Sequence, residues 1–335
     1  MQQLGFEGMP RRLYPCTPSR LRAWLDCPRR YRMSYLDRPA PPKGPPWAHN
    51  SLGASVHNAL AGWWRLRREE RTPEAAGALL RRGWLTDGFA DDAQSAQYLR
   101  RSLAMVESYV AGLDPACEPA GVERTVGMKT ELIAVSGRID RLDDRPVLAA
   151  AGAGTMAGGA VAGGAVAGGA VAGGAVAGGA RAGPGDRELV VVDYKTGRYP
   201  LTVDDARSSL ALALYALAAG RVLRRPCRAV ELHHLPTGRT LRWEHSPESL
   251  DRQLRRAEDI AEECSAADER FRAEPESGRG DEVFPPSPGT WCGWCDFRAQ
   301  CPQGQAASAQ RRPWDGLAAD DAAPVSAQVL DSPEH

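Results

Sequence analysis

Apolar and polar positions along the chain switch between two periods, and each change marks a kind of element. In "TPSRLRAWLDCPRRYRMSYL", residues 17–36, Leu21, Trp24 and Leu25 recur at helical spacing. Thr17 stands where a cap belongs and Pro18 at the first helical position. Pro28 predicts the end of this helix and the start of a second, short one. "RPAPPKGPP", 38–46, reads as a rigid connection. Helical spacing returns over 51–70 and about 94–112.

The period then shortens to two. "ELIAVSGRIDRLDD", 131–144, alternates and is rich in β-branched residues, as a strand is. "RELVVVDYKTG", 187–197, is a valine run that ends in polar residues, the pattern of a buried strand. "ARSSLALALYALAAGRVL" predicts a helix laid on the sheet. "AVELHHL" and "RTLRWEH" predict a hairpin turning at Thr237-Gly238. "PESLDRQLRRAEDIAEECSAADERFR" predicts a long amphipathic helix.

Between the first two strands, "AGGAV" repeats in tandem from Ala157. A five-residue Ala/Gly/Val period has neither helical nor strand amphipathicity, so 148–186 is read as a disordered insertion at a hairpin tip. The domain reading is therefore a flexible arm over 1–16, one domain over 17–302 and a disordered acidic tail over 303–335. The fold class is α/β, a mixed central sheet flanked by helices.

Composition adds a few bounds. With 335 residues, 43% of them hydrophobic and 25% charged, the chain can bury a sizeable core. It shows no secretory h-region and no bilayer-length apolar run, which predicts a cytoplasmic protein. The formal net charge is zero, but Asp315, Asp320, Asp321, Asp331 and Glu334 crowd the tail, leaving a mildly cationic body suited to a polyanion. Lysine occurs only at 43, 129 and 195, so a lysine inside a tight motif carries information.

Alternation in "VVVDYKTG" puts Asp193 and Lys195 on one side of the strand and Tyr194 on the other. If this strand pairs with "SGRIDRLDD" across the repeat, Asp140 comes to lie beside Asp193. Two carboxylates held that close repel unless a cation lies between them, and Mg²⁺ is typically held this way. A neighbouring ammonium could orient water or offset charge developing on phosphorus. The chemistry expected is metal-assisted phosphodiester hydrolysis.

"GRID" followed by "DYKTG" resembles the PD-(D/E)XK nuclease superfamily, and "GASVHNAL" resembles the G-x-x-x-H-x-x-L signature of its RecB-like branch. The resemblance implies a restriction-endonuclease-like core and a Mg²⁺- or Mn²⁺-dependent DNA exonuclease of repair or recombination. It implies His57, Asp140, Asp193 and the Tyr194 carbonyl as metal ligands, and Lys195 as the catalytic lysine. Glu123, in "GVERTV", and Tyr215 match accessory positions. The family commonly carries a Gln before that Tyr, where this chain has Ala211. A nuclease-like DNA-binding subunit without turnover is the rival reading. No G-x-x-x-x-G-K-[ST] motif is present, so any helicase motor would be a separate partner.

"TWCGWCDFRAQCP" holds Cys292, Cys295 and Cys301 at C-x2-C-x5-C spacing, without a second C-x-x-C pair. RecB-like nucleases of the AddB and CRISPR-associated kinds carry an iron–sulfur cluster, with one cysteine before the core in a C-P-x-x-Y context and three after it. The resemblance therefore assigns Cys27, Cys292, Cys295 and Cys301 to a [4Fe–4S] cluster that ties the two ends of the domain together. Zinc and unligated cysteines are the alternatives.

Overall fold

The computed structural model describes residues 13–147, 187–273 and 280–317. The tandem repeat lies outside the described residues, as do 1–12 of the arm and 318–335 of the tail. In chain order the elements are β1 (Tyr14–Cys16), α1 (Pro18–Asp26), α2 (Pro28–Tyr35), α3 (Ala48–Trp64), α4 (Pro73–Arg82), α5 (Asp92–Ala111), β2 (Gly121–Lys129), β3 (Ile133–Pro146), β4 (Arg187–Lys195), α6 (Val203–Ser208), α7 (Leu210–Leu223), β5 (Cys227–His234), β6 (Arg239–Glu244), α8 (Pro247–Ala273), α9 (Gly280–Val283) and α10 (Pro302–Ala307).

The long strand β3 is the hub of a six-stranded mixed sheet. One edge pairs with β2, antiparallel. The other edge is shared: Ile133–Val135 pair in parallel with β1, and Arg141–Pro146 pair antiparallel with β4. β4 pairs in parallel with β5, reached by the crossover through α6 and α7, and β5 turns back into β6. Gly238 takes φ 64° at that last turn, a left-handed conformation that suits glycine.

Alternation along β4 explains its two buried faces. Leu189 and Val191 join a core formed with α1, α7 and α8. Val190, Val192 and Tyr194 join a second core formed with α3, α4 and α5. Each fully buried Val or Leu contributes about 1.5–3 kcal/mol, so a strand buried on both sides is held firmly in register. This is the mixed sheet flanked by helices that the sequence predicts. Thr17 caps α1 as expected, its hydroxyl accepting from Arg20 N at 3.1 Å.

Both outer boundaries differ from the sequence reading. The expected arm over 1–16 ends in strand β1, which has no apolar alternation of its own and exists because β3 offers an edge. The expected tail from 303 begins with α10 and continues as ordered chain to 317, where Trp314 and Leu317 pack against Ala48 and Tyr98. Among the described residues, no helix is long and apolar enough to cross a membrane.

α1 and α2 are fixed to α8 by a buried polar knot. Tyr31 donates to Asp268 Oδ1 at 2.9 Å, and Arg20 Nη2 pairs with Asp268 Oδ2 at 2.9 Å. The Tyr14 hydroxyl hydrogen-bonds with the Tyr31 hydroxyl and donates to Asp268 Oδ2 at 3.3 Å. Burial pushes the Asp268 carboxyl above its ordinary range even though Tyr31 and Arg20 favour its charge. Removing the acid would strand an arginine and two hydroxyls. We expect Asp268→Ala to lower the unfolding free energy by about 3 kcal/mol, read from urea curves of unchanged slope. Arg272→Ala, which removes a 61%-exposed partner of the same acid, should change it by no more than about 0.5 kcal/mol.

Candidate active site

Register aligns three acids across three neighbouring strands. Between β2 and β3, Val122 faces Arg141 and Arg124 faces Ile139, so Glu123 falls opposite Asp140. Between β3 and β4 the ladder stops at Arg141–Val192, so Asp193 is next beside Asp140. Asp140 thus stands where pairing is interrupted on both edges. Its Oδ2 takes up the slack by accepting from Tyr194 N at 3.0 Å. Glu123 has φ 48°, a left-handed conformation that is uncommon for a residue with a side chain. Strain of this kind concentrates at functional sites.

His57 reaches this row from α3. Its Nε2 lies 3.1 Å from the Tyr194 carbonyl and its Nδ1 3.3 Å from Asp140 Oδ2. One ligand atom each from His57, Glu123 and Asp140 lies within 4.8 Å of the others. Asp193 is outside that group. Its Oδ2 is held by Lys195 Nζ at 2.6 Å, on the side of the strand that alternation assigns to both. Tyr194 turns the other way, into the second core.

The site is electrostatically crowded. Both ring nitrogens of His57 face oxygen acceptors, which only the doubly protonated ring satisfies. Burial works against that charge, but Asp140, with Asp193 and Glu123 behind it, raises the His57 pKa above the ordinary value. Burial pushes the Glu123 carboxyl up, and Asp140 adds to this against the pull of Arg138. Burial also raises Asp193, opposed by Lys195 and reinforced by Asp140. Such a cluster calls for a positive charge among the acids.

Two glycines in the motifs make the approach possible. At Gly53 a Cβ would stand 3.4 Å from Thr196 Oγ1, so α3 passes close to the end of β4. At Gly137 a Cβ would run into the Tyr215 ring, which α7 lays across β3. Burial raises the Tyr215 pKa, and the charges of Asp193 and Asp140 raise it further. Ala211 lies one turn earlier on α7 and is half-buried.

Behind the site, the Tyr194 hydroxyl accepts from Trp64 Nε1 and Arg141 Nη1, both at 3.2 Å. These partners fix the tyrosine whose backbone joins Asp193 to Lys195. The sequence reading did not single out Arg141 or Trp64. It gave Glu123 only an accessory place, whereas register puts Glu123 against Asp140.

Imidazole and carboxylate oxygens, with a carbonyl 3.1 Å from the imidazole Nε2, suit a hard divalent cation. The ligand atoms of His57, Glu123 and Asp140 lie within 4.8 Å of one another, and their chemistry fits Mg²⁺ or Mn²⁺, which would draw adjacent ligands to about 3 Å.

The four predicted cysteines also come together. Cys27, Cys292, Cys295 and Cys301 line one cavity of about 420 Å³ between α1–α2 and the C-terminal segment. Three of the sulfurs are acceptors for backbone amides: Cys27 from Ser287 N at 3.4 Å, Cys292 from Gly289 N at 3.4 Å and Cys301 from Gly304 N at 3.3 Å. Arg29 Nη1 adds a 3.5 Å contact to Cys301. Among the described residues no three cysteine sulfurs lie within 4.8 Å of one another. A single tetrahedral zinc, with Zn–S bonds near 2.3 Å, would draw its sulfurs to about 3.8 Å.

An α/β fold that gathers an imidazole, acids and a lysine at the interruption of its sheet defines a metal-dependent phosphodiesterase site. Comparison with family models agrees: that of the PD-(D/E)XK nuclease superfamily matches residues 15–148 and 182–302. The chain belongs to this superfamily, whose members are metal-dependent nucleases, and its fold is restriction-endonuclease-like. No curated protein matches the chain.

Glycine relieves left-handed strain, so Glu123→Gly separates the site from the scaffold. We expect the variant to stay within about 1 kcal/mol of the parent in stability while its Mn²⁺ affinity, read by titration calorimetry, falls about tenfold or more.

Proposed function

We propose that the protein is a RecB-like deoxyribonuclease, an exonuclease that works on DNA ends or single strands in repair or recombination. The observation that carries this reading is the convergence of His57, Glu123 and Asp140 next to the Asp193–Lys195 pair. His57, Asp140, Glu123 and the Tyr194 carbonyl would hold Mg²⁺ or Mn²⁺, with Asp193 adding its charge from the neighbouring strand. The ion, when bound, supplies Lewis-acid polarisation of the phosphodiester and of the attacking water. Lys195, 45% exposed and paired with Asp193 at 2.6 Å, would orient water or offset charge on a phosphoryl oxygen. Asp193 keeps that ammonium in position. Tyr215 closes the site from α7.

The test is digestion of end-labelled single- and double-stranded DNA with Mg²⁺ or Mn²⁺. The parent protein should degrade DNA, chelation should abolish the activity, and Asp193→Ala and Lys195→Ala should each reduce it at least about a hundredfold. Ala211, in place of the superfamily's usual Gln, favours one rival: a DNA-binding subunit without turnover, working with a separate helicase. That rival predicts binding without cleavage. Equal digestion by parent and variants would sink the catalytic assignment.

The reading extends to a [4Fe–4S] cluster on Cys27, Cys292, Cys295 and Cys301. Four cysteines around one cavity, three of their sulfurs met by backbone N–H donors, support it. Such a cluster would staple both ends of the chain together. Protein purified without oxygen should be brown, with about four irons and four sulfides per chain, and Cys27→Ser should bleach it. A colourless, zinc-loaded protein would reject the assignment.

A further inference from the structure

Beside Lys195 lies a second cavity, of about 480 Å³. Its walls are the first turns of α3, one face of α5, the Thr196–Arg198 turn and the end of the described C-terminal segment. The floor is apolar: Tyr98 is buried and packs with Leu52 and Leu317, and Met105 continues the α5 face two turns on. The rim is cationic. The Arg101 guanidinium sits 5.3 Å above the Tyr98 ring, and Arg198 reaches the Leu317 carbonyl at 3.5 Å. Lys195 closes the end nearest the acids, and among the described residues no Asp or Glu lines the cavity.

The walls are well anchored. His234 Nε2 donates to the Gly197 carbonyl at 2.8 Å, which holds the turn after β4. Ala48 N donates to the Pro313 carbonyl at 3.1 Å, and Leu317 is 8% exposed. This C-terminal wall lies beyond residue 302, where the match to the superfamily ends. It belongs to this chain's own architecture.

We propose that the cavity receives one unpaired nucleobase beside the scissile phosphate, with Arg198 towards a flanking phosphate. An apolar floor under a rim that carries Lys195 and Arg198 complements a base with its backbone. The size falls within the few-hundred-Å³ range of small-molecule sites. A paired base enters only after unstacking, so the wall formed by Gly316 and Leu317 makes the site selective for an unpaired strand. This inference rests on the nuclease reading and adds the subsite that reads strandedness.

The test is an abasic scan. End-labelled single-stranded DNA oligonucleotides, each with one abasic residue at successive positions, are titrated against the full chain by fluorescence anisotropy, with Ca²⁺ in place of Mg²⁺. One position should weaken binding about fivefold or more, about 1 kcal/mol at 1.4 kcal/mol per decade. Met105→Trp, which fills the cavity, should bind the intact strand as weakly as the parent binds that abasic one, with no further loss at that position. Arg198→Gln provides an independent check should Met105→Trp fail to fold: it should lower the salt slope of binding by about 0.7 and keep the abasic profile. A flat profile in a protein that still cleaves DNA overturns the subsite alone. So does a parent-like profile in folded Met105→Trp, or an unchanged slope in Arg198→Gln. A protein that neither binds nor cleaves overturns the nuclease reading as well.

Discussion

The carboxylate of Asp140 bears on every part of the site. A strand with β2 on one side and β4 on the other would ordinarily spend its backbone groups on both neighbours. At Asp140 both ladders break, and the side chain accepts the Tyr194 N–H in their place. With β5 still paired to Asp193–Lys195, that bond holds β4 against β3 past the end of their own ladder and keeps Asp193 next to Asp140. It also turns the Tyr194 carbonyl towards His57. The interruption is therefore a structural part of the site: regular pairing there would direct these groups to one another.

Helix α3 carries the consequences outwards. Near its start, Trp47 and His49 pack against Trp294, which adjoins Cys295 at the cysteine cavity. Ala48 bonds to the C-terminal segment. Gly53 lets the helix approach Thr196, and His57 completes the acid row. A rigid helix thus touches the cysteine cavity, the nucleotide-sized cavity and the acid cluster. Binding the four cysteines to one group would fix where α3 begins, and with it how His57 meets Asp140.

The parts legible in the sequence are those encoded by period. Alternation in "VVVDYKTG" places Asp193 with Lys195 and opposite Tyr194, and the two strand-like runs do pair around the repeat. Helices α1, α2, α5 and α8 fall close to where their spacing and prolines put them. Glu123 was only partly legible, because its place depends on a left-handed φ and on register with β3, and neither leaves a hydrophobic pattern. β1 and the segment ending at Leu317 were not legible. Each is short, and each is ordered by a surface supplied from far away in the chain. The grouping of Cys27 with the three late cysteines came from resemblance, since no local pattern joins opposite ends of a chain.

One further constraint explains why this end of the sheet tolerates so much charge. Under Tyr194, Arg141 pairs with Asp143, and Arg145 pairs with Glu231 at 2.6 Å. Glu231 accepts from His233 Nε2 at 2.9 Å, and the Tyr109 hydroxyl donates to His233 Nδ1 at 2.7 Å. Burial lowers the His233 pKa, leaving a neutral ring with one donor and one acceptor, which matches these two partners. Burial alone would raise Glu231, but His233 and Arg145 bring it well below the ordinary carboxylate range. Directional bonds of this kind rigidify a core. Aliphatic residues could fill the same volume, but they could not hold the Tyr194 hydroxyl by directional bonds. The position of its carbonyl, and so of the neighbouring acid and lysine, depends on that hold.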